Sequence, residues 1–252
     1  MTQPHIVWLR RDLRLIDQPA FHAASAAGPV IPVYVLDDDT PGKRRMGGAS
    51  RWWLHHALTS LAGELEAAGS RLILRRGDAV EELAKLATQT GAAAIHAIRH
   101  YEPWWRKAQG ALAKRLDLKL HDGNYLLPPG AVTTGSGTPF KIFTPFKNAL
   151  FGAIHGFDIL PAPALAAPGR WPASDRLEDW ALLPTQPDWA SGFREGWQPG
   201  TAPALARFDW FKGKVANYRA DRELPSLDGS SRLSPHLHFG EVSARMLWAG
   251  LD

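Results

Sequence analysis

Short apolar, β-branched runs alternate with amphipathic helical stretches over the first 120 residues, and this alternation most constrains the fold. His5 to Leu9 (HIVWL), Pro29 to Leu36 (PVIPVYVL), Arg71 to Leu74 (RLIL) and Ala94 to Ile98 (AIHAI) each read as a buried strand, with Leu118 to Leu120 a weaker fifth. Between them, Leu54, Leu58, Leu61 and Leu65 fall on one face of a helix over Ala49 to Ala68, for which Ser50 is the expected N-cap and Gly69 the C′ residue. Asp78 is placed to cap a helix through Thr88, with Glu81 at the capping-box position and Gly91 beyond its end. Pro103 opens a further helix to about Leu116. Strand–helix alternation of this kind demands parallel strands joined by right-handed crossovers. The prediction is an α/β fold with a doubly wound, parallel five-stranded sheet in residues 1–130.

The remainder is organised differently. Gly123 to Pro139 is rich in turn residues, and a helix is expected from Thr144, with Pro145 in its first turn, to about His155. Residues 131–203 read as a connector. Within it, residues 157–203 hold eight of the 20 prolines and four of the 11 tryptophans, which suits an extended segment pinned by aromatic side chains rather than a flexible linker. A helical pattern resumes from Ala204 through Ala220, so residues 204–252 are expected to open an all-helical unit.

Composition narrows the classes. Hydrophobic residues at 45% and charged residues at 21% exclude overall disorder, and the absence of Cys excludes disulfides, Cys-zinc sites and thiol nucleophiles. No apolar run is long enough for a membrane-spanning helix, and Met1 to Pro4 lacks signal-peptide character, so a cytoplasmic protein is expected. With 29 Lys+Arg against 25 Asp+Glu, the net charge of +4 permits a polyanionic partner without requiring one. No glycine-rich dinucleotide turn and no Walker A sequence is present.

Four segments carry chemistry. Arg10-Arg11-Asp12-Leu13-Arg14 leaves the carboxyl end of the first strand, where open α/β sheets place functional groups, although a structural ion-pair network is the more economical reading. Arg51-Trp52-Trp53-Leu54-His55-His56 reads as core and rim, since adjacent histidines on a helix face different ways and make no metal site. Leu126-Leu127-Pro128-Pro129-Gly130-Ala131-Val132, followed by Lys141-Ile142-Phe143-Thr144-Pro145-Phe146-Lys147-Asn148, is a rigid loop leading into a helix. Asn217 to Pro225, then Gly229-Ser230-Ser231-Arg232-Leu233-Ser234-Pro235, offers three serine hydroxyls, an arginine beside them, an upstream Tyr218 and a helix start with Ser234 as cap. That set serves equally as a plain N-cap or as a diphosphate site.

Together these segments, in this order and spacing, resemble the DNA photolyase/cryptochrome family, most nearly bacterial class I cyclobutane pyrimidine dimer photolyases. The resemblance covers essentially the whole chain. It implies an N-terminal antenna domain followed by the start of a helical FAD-binding domain, the chain resembling an N-terminal fragment. It implies light-driven repair of cyclobutane pyrimidine dimers in DNA by electron transfer from reduced FAD (a deoxyribodipyrimidine photo-lyase), by a monomer. The alternative is a cryptochrome-like blue-light flavoprotein photosensor without repair activity. Carried over residue by residue, Tyr218, Ser230, Ser231, Arg232, Leu233 and Ser234 match FAD contacts, and Arg222 matches an arginine that approaches the DNA backbone. The residues that contact the lesion and relay electrons have no counterpart up to Asp252, so no catalytic residue and no metal is expected within the chain, which by itself should neither hold stoichiometric FAD nor repair dimers. The chain departs from the folate-binding members. Trp104-Trp105 stands where they carry Asn-Glu, and Lys43-Arg44-Arg45 stands where they carry a histidine. A second antenna chromophore is therefore left as a deazaflavin, a differently stacked folate or none, with Trp104 or Trp105 either filling the antenna pocket or stacking on a flat ring.

Overall fold

The computed structural model describes residues 2–251. Strands β1 (His5–Leu9), β2 (Val30–Leu36), β3 (Ile73–Arg76), β4 (Ala94–Ile98) and β5 (Leu118–His121) form one parallel sheet in the order β3-β2-β1-β4-β5. The doubly wound arrangement expected from the alternation is thus present, with β1 and β4 at the positions read from the sequence. β3 begins two residues later than the apolar run RLIL, because its pairing with β2 joins Val33 to Ile73 and Leu36 to Arg76.

Side-chain alternation along β1 feeds two cores. Val7 and Leu9 pack with helices α1 (Pro19–Ala27) and α2 (Gly48–Ala67) on one face. Ile6 and Trp8 pack with α3 (Ala79–Thr90) and α4 (Pro103–Ala113) on the other. Asp78 caps α3 as expected, its carboxylate accepting from Val80 N at 2.9 Å and Glu81 N at 3.0 Å, and Gly91 closes it in the left-handed region at φ +63°. Glu81 does not complete a capping box, since its carboxylate turns to Arg115. Ser50 is not the cap of α2. The helix starts earlier, from Gly47 in an extended conformation, so Ser50 already lies in the first turn. Helix α4 stops at Ala113 rather than Leu116.

The stretch 131–203 carries regular structure of its own. Helices α5 (Phe143–Ala153) and α6 (Ser191–Gly196) lie within it. The backbone N–H of Val30 donates to Ala166 O at 2.9 Å and that of Asp175 to Leu74 O at 2.9 Å. Trp180 is buried and donates to Asp175 Oδ2 at 3.1 Å, and the Trp197 ring lies edge-on to Trp53 at 5.5 Å. The helix expected through Ala220 breaks after Lys212: α7 (Thr201–Lys212) ends at Gly213, a 3-10 turn follows, and α8 (Tyr218–Asp221) restarts. Helices α9 (Ser234–Phe239) and α10 (Ala244–Ala249) pack with α7 through Ala204, Phe208, Leu233, Val242 and Met246. No helix among the described residues is long and apolar enough to cross a membrane.

Candidate functional site

The helical part is locked onto the carboxyl ends of the strands by the run that follows β1. Arg14 is fully buried. Its guanidinium donates to Asp17 O at 3.0 Å, Gly123 O at 2.8 Å and Gly240 O at 3.0 Å, which joins three segments distant in sequence. Leu13 N donates to Phe239 O at 3.1 Å, and Ser243 Oγ donates to the buried Asp17 carboxylate at 2.6 Å. Leu13 and Arg14 of the Arg10–Arg14 run therefore serve as scaffold. A fork of five N–H donors matches converging carbonyls in a way an ammonium cannot.

Arg10 faces a narrow crevice of about 60 Å³, beside the point where the strand order reverses between β1 and β4. Its guanidinium lies 4.0 Å from the centre of the Trp8 ring and 5.7 Å from that of Trp105, and it donates to Ile98 O. Its Nε and Nη1 are buried without a hydrogen-bond acceptor, and burial pulls the group down to about 10. Asp12 beside it is also fully buried. Burial pushes its carboxyl up, but His100 at 3.8 Å, the neighbouring Arg10 charge and the Arg10 backbone N–H donating at 2.6 Å outweigh that and leave it below the usual carboxylate range. Trp104, Trp105 and Arg44 line the mouth of the crevice, together with Met46 and Phe239. The Arg10 cation thus already lies between aromatic faces, and little space is left beside it.

The second place is the serine loop. Gly229 lets α8 dock against it: a Cβ there would stand 2.5 Å from Cβ of Asp221. This contact brings the Tyr218 helix beside Ser230. Arg207 on α7 ties down the carbonyl side of the loop, donating to Ser231 O at 3.0 Å and Ser230 O at 2.6 Å while pairing with Asp228 at 2.6 and 2.8 Å. The Arg207 hydrogen bond holds the Asp228 carboxyl below its usual range. With its carbonyls engaged, the loop has N–H and O–H donors left to offer. Ser230 and Ser234 are exposed, Ser231 is half-buried and Leu233 is buried. Arg232 takes the left-handed conformation at φ +55°, unusual for a residue with a side chain, and lays its guanidinium over the Trp197 ring at 4.3 Å.

Ser234 does not cap α9. Leu233 is the N-cap residue and already has near-helical angles, so the helix takes in Ser234 as its first residue, and no side chain makes a capping bond. The Ser234 hydroxyl is thereby left available. Tyr218 packs edge-on to Phe211 at 5.6 Å, and Arg222 folds over the Tyr218 ring at 5.4 Å, on an exposed surface. Ser230, Ser231, Arg232, Leu233 and Ser234 thus share one loop–helix junction, while Tyr218 and Arg222 belong to the short helical segment that meets the loop through Asp221 and Gly229. Trp52 and Trp53 are core residues, as their sequence context indicates; among the described residues no group of three or more His, Asp or Glu side chains is placed to hold a metal ion. Sequence reasoning missed Arg207 and the buried Glu241. Their partners lie 21 to 24 and up to 188 residues away, so no local pattern marks Arg207. A lone acid between Gly240 and Val242, next to the apolar helix end, was the one available signal for Glu241.

Fold and site together define a doubly wound α/β domain clasped to a helical segment that carries a hydroxyl-rich, arginine-stapled loop. The profile of the DNA photolyase family matches residues 5–166, and the chain belongs to that family. A deoxyribodipyrimidine photo-lyase of Agrobacterium fabrum is 41% identical over 98% of this chain and 53% of its own length. Cryptochrome-1 of Arabidopsis thaliana is 32% identical over 96% of this chain and 37% of its own. The crystal structure of a bacterial class III photolyase from Agrobacterium tumefaciens superposes with a TM-score of 0.90 at 40% identity, covering 98% of this chain and 52% of that one. The chain spans about half the length of the photolyases it matches.

Proposed function

We propose that the protein to which this chain belongs performs light-driven repair of cyclobutane pyrimidine dimers in DNA, as a cytoplasmic monomer. Residues 1–130 are the antenna domain in this reading, 131–203 the connector and 204–252 the start of the flavin domain. The observation that carries it is the serine loop, in a chain 41% identical to a deoxyribodipyrimidine photo-lyase. Hydroxyl and N–H donors remain on a loop whose carbonyls Arg207 holds, and such a donor set fits the diphosphate of FAD. Tyr218, Ser230, Ser231, Arg232, Leu233 and Ser234 would hold that cofactor, and Arg222 would set the register of the DNA backbone. When bound, reduced FAD supplies the electron that splits the dimer after excitation by blue light. The chain's own residues contribute binding and orientation: Arg207 fixes the loop, and Arg14 and Glu241 fix the helices against the sheet.

At the crevice, Trp104 and Trp105 stand in place of an Asn-Glu pair that would hold a folate, and the space of about 60 Å³ left beside Arg10 supports the alternative in which the indoles fill the antenna pocket. The finer class in this reading follows the 40%-identical solved relative, a class III photolyase.

The test is exposure of full-length protein with dimer-containing DNA to blue light. Dimer loss that requires light establishes the repair reading. A flavin-loaded protein that leaves dimers intact favours a photosensor, the reading that the 32% identity to a cryptochrome keeps in view.

A further inference from the structure

The amino end of the sheet, opposite the clasp and the serine loop, carries a cleft of about 860 Å³ that is separate from the Arg10 crevice. That volume lies within the usual range for small-molecule sites, roughly 300–1,000 Å³. Its walls come from residues 2–4 just before β1, the last turn of α3, Arg75 of β3 and connector residues 168–173.

Two features give the cleft a chemistry. First, it is lined by two guanidinium groups, Arg75 and Arg170, and by no carboxylate. Neither arginine has a carboxylate within 4.0 Å among the described residues. Arg75 is half-buried with only a neutral partner, Gln89 Oε1 at 3.0 Å, and its Nε is covered by protein without an acceptor. A half-buried cation that lacks its counter-charge is an unfinished ion pair, and a planar fork of donors is matched by a phosphate or carboxylate. Second, Trp171 packs partly against the core under α3 and α4, and its remaining surface lines the cleft. An indole is a stacking platform for a planar ring.

The geometry points to a binding site for a phosphate-bearing heteroaromatic, a mononucleotide-type anion, with Trp171 against the ring and Arg75 and Arg170 on the phosphate. This site stands at the far end of the sheet from the serine loop and does not depend on the repair reading.

The test is calorimetric titration of the full-length, FAD-saturated protein with AMP, so that a flavin site is filled beforehand. Saturable binding with Kd below about 1 mM is expected. Adenosine, which lacks the phosphate, should bind at least about tenfold more weakly, and so should AMP to the R75Q/R170Q double variant. W171L should weaken both ligands while leaving the flavin absorbance unchanged. Absence of saturable AMP binding overturns the proposal. So does binding that R75Q/R170Q and W171L, melting like the parent protein, leave untouched.

Discussion

Trp53 on α2 donates its indole N–H to Glu241 Oε1 at 3.1 Å, across 188 positions of sequence. The same fully buried carboxylate accepts the Gly200 N–H at 2.8 Å and meets Nδ1 of His236. One side chain thus holds the sheet-covering helix, the end of the connector and the helix that follows the serine loop. Hydrogen bonds to a charged group contribute about 1.5–3 kcal/mol each, and donors left buried without an acceptor add a further penalty. Glu241→Ala should therefore destabilise the protein by about 3 kcal/mol or more in urea unfolding, and Glu241→Gln by a smaller amount. A loss under 1 kcal/mol for the alanine variant would show that the node is dispensable.

Gly240 separates close approach from mere conformational need. It sits at φ +68°, and a Cβ there would come within 2.1 Å of Arg11 O and 2.5 Å of Asp12 Cα, both backbone atoms that cannot step aside. Gly42 has a similar φ of +56° and nothing within 4 Å of its would-be Cβ. Gly42→Ala should cost only the left-handed penalty, about 1 kcal/mol. Gly240→Ala should prise the helices from the β1 end and cost several times more, or prevent folding. Equal melting temperatures for the two variants would refute this account of the clasp.

The elements legible in the sequence were those with local causes. β1 and β4 are five-residue, largely apolar runs each closed by an arginine, and the cap at Asp78 needs only the three residues after it. The role of Arg14 was not legible, because the carbonyls it binds belong to Gly123 and Gly240 and converge only in the fold. The serine loop stood out by its side chains, yet the residue that shapes it, Arg207, is one arginine among many in the sequence. Ser50 and Ser234 misled for a shared reason. A serine at a helix start is a cap only if the backbone before it is still extended, and in both places the helix had already begun.

Three imidazoles form a hydrogen-bonded row across β1, β4 and the end of β5: His5 Nδ1 to His96 Nε2 at 3.2 Å, and His96 Nδ1 to His121 Nε2 at 3.1 Å. Neutral His96 donates at one nitrogen and accepts at the other, so protonation breaks one of its two bonds. Burial, reinforced by the neighbouring imidazoles, pulls His96 down to about 4 from an ordinary 6.5. The unfolded chain then binds the proton more readily, so this group's contribution is complete above pH 6.5 and is lost as pH falls from 6.5 toward 4. At about 1.4 kcal/mol per pH unit, the loss amounts to a few kcal/mol. Chemical unfolding at pH 7 and pH 5 should show a drop that His96→Gln reduces. A pH dependence identical in parent and variant would place the acid sensitivity elsewhere.

Arg207 tests the serine loop from outside it. Its guanidinium reaches both Ser230 O and Ser231 O while Asp228 holds it in place, a two-carbonyl grip that requires a fork. If the loop's free donors bind the flavin diphosphate, releasing the carbonyl side lets the loop relax into conformations that no longer present them together. Arg207→Gln should then raise the Kd for FAD by about tenfold, roughly 1.4 kcal/mol. Arg207→Lys should restore little, because an ammonium keeps the charge and loses the geometry. Asp228→Asn, which loosens the arginine without removing it, should fall between parent and Arg207→Gln. The measurement is flavin fluorescence on titrating the apoprotein of the full-length variants, with circular dichroism confirming that each is folded. Recovery of full affinity by lysine would mean that the charge, and not the fixed loop, governs cofactor binding.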